Sequence, residues 1–120
     1  MHYLENKIEL KDLVITLYKD IPEFFDYSVF DKNDEMYPVF SEFGRFILAN
    51  IDSKILVEKS IDFISLLIES NNNAIETLIV IELFWPIYNS GEKDIQVFRS
   101  QLSIKGRKIF NDFLYKFKNK

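Results

Sequence analysis

The chain has 120 residues, 48% hydrophobic and 16% aromatic, which is the size of one domain with enough apolar residues for a core. It has no cysteine, which excludes disulfides, zinc–thiolate sites and a cysteine nucleophile. The net charge of −4 conceals an asymmetry, because residues 1–98 carry −10 and residues 99–120 carry +6. An acidic body of this kind repels nucleic acid and attracts a basic partner.

Apolar residues recur every three or four positions along most of the chain, which predicts an all-α fold. We expect five to six antiparallel helices in a compact, HEAT-like bundle that forms a single domain of residues 1–120. The predicted elements, in chain order, are a helix at Glu5–Lys19, a turn or short helix at 22–28, a loop at 31–37, and helices at Val39–Asn50, Ser53–Ser70, from Asn73 onward, Glu92–Leu102 and Ile104–Lys118.

The helix that follows the asparagine run is apolar on nearly every side between Ala74 and Tyr88. A helix with so narrow a polar face should be covered by neighbours on several sides, so we expect it to be the central helix. It should end or kink near Pro86, because proline inside a helix removes a hydrogen bond. With only two alanines and three glycines, the core should be bulky, without close helix packing through small residues.

Two helix starts carry capping signals. Asn73 with Glu76 three residues later resembles a capping box, and Ser103 can cap the last helix. These signals favour helices over strands in β-branched stretches such as LIVIEL.

The sequence contains no complete motif for catalysis or metal binding. An EF-hand calcium loop would use Asp31, Asn33, Glu35 and Glu42, but Met36 occupies the position where glycine is required for the turn. Glu76 and Glu82 lie in the most apolar helix and could provide a general acid, although such groups more often reach water at the helix margin. The single histidine is His2, so no Ser/His/Asp set exists. We expect no enzyme activity, no cofactor and no metal.

The C-terminal segment, residues 99–120, which contains the last helix, is rich in bases: Arg99, Lys105, Arg107, Lys108, Lys116, Lys118 and Lys120. They could form a nucleic-acid or membrane surface. Alternatively, they complement the helix dipole and pair with the acidic body. The acidic remainder of the chain favours the second interpretation.

Carboxylates are interleaved with phenylalanine and tyrosine in residues 20–37. A further acidic row follows one face of the helix at Ser53–Ser70. Aromatic anchors supply binding energy and charges speed the encounter with a basic protein. An ordinary solvated face is the alternative. The candidate partner-binding residues are Tyr27, Asp31, Asp34, Glu35 and Tyr37, with Glu58, Asp62 and Glu69 as a second group.

The stretch EFGRFILANIDSKILVEKSIDFISLLIESNNNAIETLIVIELFWPIYN, residues Glu42–Asn89, resembles small bacterial all-helical, HEAT-like proteins. Proteins of this type are found as immunity proteins beside polymorphic or contact-dependent growth-inhibition toxins. The shared features are a Phe-rich helix, the LVEKSIDFI helix, a polar turn and the IETLIVIELF helix. Immunity proteins as a class have no common active residues, so the resemblance implies no particular site.

The resemblance and the acidic charge together predict an immunity protein that neutralises a toxin domain of the basic nuclease type by occluding its surface. The N-terminus does not have the pattern of a secretion signal, so we expect a cytoplasmic protein, a monomer or weak dimer, with no nucleic-acid or membrane partner. The alternative is a helical scaffold or regulatory subunit that acts as a homo-oligomer.

Overall fold

The computed structural model describes residues 8–118, except for the side chain of Lys118. In this part of the chain all regular structure is helical, which confirms the predicted all-α class. A 3₁₀ turn at Leu10–Asp12 precedes seven helices: α1 (Leu13–Asp20), α2 (Pro22–Tyr27), α3 (Met36–Ala49), α4 (Lys54–Glu69), α5 (the contiguous stretches Asn73–Leu78, Ile79–Leu83 and Phe84–Asn89), α6 (Glu92–Gln101) and α7 (Ile104–Lys118).

The described chain is compact, with principal extents of 35 × 33 × 25 Å. Seven helices exceed the predicted five to six, because residues 22–27 form a helix of their own that starts at Pro22. Proline suits the first helical turn, where its missing N–H would have no intrahelical acceptor. The HEAT-like arrangement stays a prediction. Among the described helices, none combines the length and apolarity needed to cross a membrane.

Two helix starts differ from the predictions. Ile8 and Glu9 are not helical, and Asp12 leaves helical geometry at φ −100° and ψ 3°, so the first α-helix begins at Leu13. The predicted residues 5–7 of that helix lie outside the described residues. Helix α3 begins at Met36, three residues before the predicted Val39, because Pro38 is tolerated within its first turn.

Of the two predicted caps, the one at Ser103 is confirmed and the one at Asn73 is wrong, while Ser53 provides a cap that was not predicted. The Oγ atoms of Ser53 and Ser103 accept hydrogen bonds from the backbone N–H groups of Leu56 (3.4 Å) and Gly106 (3.1 Å). For α5 the cap is Asn72 rather than Asn73, because its Oδ1 accepts from the N–H groups of residues 74 and 75 at 2.9 and 3.3 Å. A side-chain oxygen that satisfies these otherwise unpaired donors fixes the helix start.

Helix α5 does not end at Pro86 but continues to Asn89. Its distortion lies one turn earlier, where Ile79–Leu83 is π-helical and the N–H of Phe84 bonds the carbonyl of Ile79. Proline lacks an N–H, and its ring would meet the carbonyl four residues earlier in a regular helix. The wider π turn accommodates the proline ring, so the helix continues past Pro86.

The π-helical turn packs closely against Gly44 of α3. A Cβ atom at Gly44 would lie 3.1 Å from the carbonyl oxygen of Leu83 and 3.2 Å from Cγ of Pro86. The expectation that small residues would not mediate close helix packing is therefore wrong at this crossing. A side chain here would separate α3 from α5.

Aromatic side chains form two clusters on the two sides of this crossing. In the first, Phe24, Phe43 and Phe46 are buried between α2 and α3, and their ring centroids lie 5.5–6.2 Å apart. The second is centred on the buried Phe84 of α5, whose ring lies 4.8 Å from Phe110 and 6.0 Å from Phe98. Edge-to-face arrangements dominate both clusters, as ring quadrupoles favour.

Helix α5 contacts α3, α4, α6 and α7, in agreement with its predicted central position. It is not covered all round, however. Ile81 is 49% exposed, and Val80 and Trp85 are half-buried. The half-buried ring of Trp85 contacts Phe113 and Phe117 and also borders open hollows at the surface of α5.

Gly44→Leu is expected to lower the free energy of unfolding by about 2–3 kcal/mol, because the added side chain overpacks the crossing of α3 and α5. Gly44→Ala is the matched control. Its Cβ requires a shift of the Leu83 carbonyl, but alanine gains up to about 1 kcal/mol of helix propensity, so the net change should be small. Urea unfolding of the three proteins measures both effects, and an unchanged midpoint for the leucine variant would contradict the close crossing.

Candidate partner-binding surface

The loop between α2 and α3 is closed by its own carboxylates. The N–H of Asp31 donates to Oδ2 of Asp34 (2.7 Å), and the N–H of Asn33 donates to Oδ1 of Asp31 (2.8 Å). The N–H of Asp34 also bonds the carbonyl of Asp31 at 3.2 Å. This is why short acidic side chains suit the turn: they satisfy backbone donors that no helix satisfies. All three side chains remain exposed.

The calcium-loop interpretation is not supported by these contacts. One oxygen of Asp31 and one of Asp34 are committed to backbone N–H groups, and Glu42 pairs with Arg45 at 3.3 Å. Across residues 8–118, no group of three or more acidic or histidine side chains is placed to hold a metal ion. The acidic loop is therefore a structured turn that leads into α3.

The outer face of α1 lies beside this loop. A hollow of about 310 Å³ separates them, lined among others by Ile15, Asp34 and Tyr37. The ammonium of Lys32 lies 5.5 Å from the ring centroid of Tyr18, a cation–π distance that holds the loop against α1. Ile15 and Tyr18 are each 41% exposed and Tyr37 is 50% exposed, so the combined face is both apolar and acidic.

Sequence reasoning missed Ile15 and Tyr18 as members of this face. They fall outside the core stripe of α1, whose members Leu13 and Leu17 are fully buried. Large apolar residues that lie off the i, i+3, i+4 core row of a helix must face solvent or a partner, so the signal was present in the sequence.

Tyr27 lies apart from Tyr37, although the sequence grouped the two. The Tyr27 ring packs on Phe46 at 5.4 Å, near the C-terminal end of α3, whereas Tyr37 is at the N-terminal end. The nine residues from Tyr37 to Phe46 span about 14 Å along a helix axis. The first predicted group therefore comprises a loop face around Tyr37 and a separate tyrosine over the other end of α3.

The second predicted group, on α4, is exposed along its length. Within the described residues, Glu58 and Asp62 form no hydrogen bond or ion pair. Asp62 borders a hollow with Asp20 at the end of α1. Glu69 is engaged within the chain, because its Oε2 accepts from Oγ of Ser103 at 3.3 Å. The acidic row is therefore tied to the α6–α7 turn at its C-terminal end and open at the other.

The bases of the last helix do not pair with the acidic body as expected. Arg107 donates to the carbonyls of Ser100 (3.4 Å) and Leu102 (3.2 Å) at the end of α6, and Lys105 bonds Oδ1 of Asn71 beyond the end of α4. These bases thus complement the C-termini of neighbouring helices. The side chain of Lys118, and Lys120, lie outside the described residues.

The ion pairs of the described chain are Glu42–Arg45, Glu23–Lys59 and Lys108–Asp112, and none of them joins the basic C-terminal segment to the acidic body. Within residues 8–118 the basic segment is therefore not neutralised by direct ion pairs to the acidic body, although α7 packs against α4.

Glu76 and Glu82 do not form a carboxylate pair. Both are half-buried, but Glu76 lines a hollow between α5 and α7, whereas Glu82 lines another beside Arg45. Ile81 and Trp85 stand between the two hollows. The geometry that a two-carboxylate mechanism needs, with both groups facing one substrate, is not assembled by this pair.

One ion pair fixes the position of α2, which carries Tyr27. The ammonium of Lys59 on α4 lies 3.1 and 3.0 Å from the two carboxylate oxygens of Glu23. The pKa of Glu23 is lowered, first by a hydrogen bond from its own backbone amide and then by the hydrogen bond from Lys59. Partial burial opposes this shift.

Glu23→Gln is expected to reduce the free energy of unfolding at pH 7 by no more than about 1 kcal/mol, because both partners are more than one-third exposed. The folded state holds the Glu23 pKa below its unfolded value. The contribution is therefore present above the unfolded pKa and is lost as the pH falls through the folded pKa. Urea unfolding at several pH values should show wild type and variant converging at acid pH, and a constant difference would contradict the assignment.

The residues themselves carry the functional interpretation of this surface. No protein-family model, curated protein or solved structure matches the chain. The structure places all eight predicted partner-binding residues at the surface. Asp34, Glu35 and Tyr37 line a hollow together with α1, whereas Tyr27 and the α4 row lie apart from that face.

Proposed function

We propose that this protein binds a basic protein partner through the face formed by α1 and the α2–α3 loop, here called the loop face. The observation that carries the proposal is a concentration of exposed apolar side chains beside carboxylates. Of nine large hydrophobic side chains exposed in the described residues, four besides Tyr27 fall within residues 15–37, in α1, the loop and the start of α3: Ile15, Tyr18, Val29 and Tyr37. The same segment contains the exposed acids Asp20, Asp26, Asp31, Asp34 and Glu35.

This combination suits a protein partner better than a solvated surface. Val29 is 95% exposed, and water contact with so much apolar area is unfavourable unless a partner covers it. Tyrosine supplies large contact area at low cost in conformational entropy. The surrounding carboxylates would speed the approach of a basic protein and exclude acidic ones.

In its specific form, the proposal is that the protein is an immunity protein and the partner a toxin domain, of the basic nuclease type. The resemblance of Glu42–Asn89 to immunity proteins motivates this form. The charge of −10 over residues 1–98 is consistent with it, because a basic nuclease surface attracts such a body. Occupying that surface would prevent nucleic acid from reaching it.

The test is binding of the tagged protein to its partner recovered from the host strain, compared among variants that remove charge but keep hydrogen-bond acceptors. The loop variant carries Asp31→Asn, Asp34→Asn and Glu35→Gln, which preserves an acceptor at each position of the turn. We expect its association rate to fall at least about tenfold at low salt, and less at high salt, because charges mainly set the encounter rate.

Two matched triple variants complete this test, each with the same change in net charge. One neutralises the α4 row (Glu58→Gln, Asp62→Asn, Glu69→Gln), and the other neutralises exposed acids outside both groups (Asp52→Asn, Glu92→Gln, Asp112→Asn). Equal rates for all three variants would show that only overall charge matters and would refute the loop face. A loss confined to the α4 variant would move the site to α4.

Tyr37→Ala tests the apolar half of the same face. Its side chain is half-exposed beside the hollow between α1 and the loop, so truncation should leave the fold intact. We expect the partner to dissociate at least about tenfold faster, as for an aromatic anchor. Tyr115→Ala provides a control at a tyrosine that is 73% exposed on α7.

A homo-oligomeric scaffold is the second candidate, favoured by the open face of α5. Ile81 is 49% exposed next to the half-buried Val80 and Trp85. Sedimentation equilibrium of wild type and Ile81→Glu distinguishes the two functions. A wild-type dimer that the variant dissociates supports the scaffold, whereas a monomer in both cases excludes self-association through this face.

A further inference from the structure

A hollow of about 430 Å³ lies at the end of α5, between α6 and α7, on a part of the molecule that the toxin-binding proposal does not use. Its walls include two tyrosines, Tyr88 and Tyr115, and the apolar side chains of Ile95 and Leu114. This volume is within the range of small-molecule sites. Two charged side chains, those of Arg99 and Glu92, and the amide of Asn111 border the same space.

Arg99 is held in place by uncharged partners. Its Nη1 donates to Oδ1 of Asn111 on α7 (3.3 Å), and its Nη2 donates to Oε1 of Gln96 on α6 (2.6 Å). Gln96 in turn donates from Nε2 to the Glu92 carboxylate at 2.9 Å. This chain of side chains orients the guanidinium across two helices.

The charge of Arg99 is not neutralised by a carboxylate. In the described part of the chain it forms no ion pair with Asp or Glu, since both of its partners are amides. A guanidinium has more N–H donors than two amides use, and its planar fork matches a carboxylate. The surrounding segment, residues 99–120, has a charge of +6, which favours an anionic group here.

The walls restrict the rest of the ligand. The Tyr88 ring is fixed by edge contacts with Trp85 (5.6 Å) and Phe113 (5.9 Å), so it presents a rigid flat surface. Ile95 is 7% exposed and closes the hollow with apolar atoms. Glu92 at the border disfavours ligands with several negative charges, such as a phosphate monoester.

We propose that this hollow binds a small molecule with a single carboxylate, which Arg99 receives, and a flat apolar body, which lies between Tyr88 and Leu114. The assignment is independent of the partner proposed for the loop face. Arg99 acts as the charged anchor, and Asn111 and Gln96 are positioning residues that hold its fork toward the ligand.

The experiment is a titration of the ¹⁵N-labelled protein with phenylacetate, followed by ¹H–¹⁵N correlation spectra, with 2-phenylethanol as the neutral analogue. We expect saturable shifts for residues around the hollow, with half-saturation below ~10 mM for phenylacetate and no saturation for 2-phenylethanol. Absence of saturable shifts with phenylacetate, or equal binding of the neutral analogue, overturns the proposal.

Variants at Arg99 test whether this side chain binds the carboxylate of phenylacetate. Arg99→Gln should weaken phenylacetate binding at least about tenfold, because it removes the charge and the fork. Arg99→Lys keeps the charge but not the planar fork, so its affinity for phenylacetate should lie between those of the wild type and the Arg99→Gln variant. Arg45→Gln, at an exposed arginine outside the hollow, is the matched control and should bind as wild type does. Unchanged binding by the Arg99→Gln variant overturns the assignment, and the spectrum of its free form verifies its fold.

Discussion

The close crossing of α3 and α5 at Gly44 is the contact on which the rest of the architecture depends. Most of the core is filled with phenylalanine, isoleucine and leucine, which keep helices apart. At Gly44 the backbone of one helix approaches the Leu83 carbonyl and the Pro86 ring of the other. The π-helical turn at Ile79–Leu83 provides the local geometry, because it lets α5 pass through Pro86 without ending. This crossing joins the two aromatic clusters into one core.

Two surfaces follow from this arrangement. The first cluster supports α1, α2 and the acidic loop, so apolar and acidic side chains share one side of the molecule. The second cluster supports α6 and α7, where the bases are engaged by neutral groups and helix ends rather than by the acidic body. The two sites proposed above, for a basic protein at the loop face and for a small carboxylate at Arg99, are therefore supported by different aromatic clusters.

The acids of the described chain have different roles despite similar exposure. Asp31 and Asp34 close a turn, Glu23 links α2 to α4, and Glu69 meets the α6–α7 turn. Glu58 and Asp62 have no such partner among the described residues. Asp31, Asp34 and Glu69 accept from neutral donors and keep their charge, so substitutions that test this charge must preserve the acceptors that the fold uses.

The sequence by itself determined the helical class, most helix positions and the cap at Ser103, because these follow from apolar periodicity and from side chains that bond backbone groups nearby in the chain. It could not determine the π turn, the close approach at Gly44 or the orientation of Arg99. The close approach depends on Leu83, which is 39 residues from Gly44 in the chain. The orientation of Arg99 depends on the amide of Asn111, which lies on another helix. The separation of Tyr27 from Tyr37 was likewise decided by how α2 and the loop pack on opposite ends of α3, a tertiary choice that local spacing does not encode.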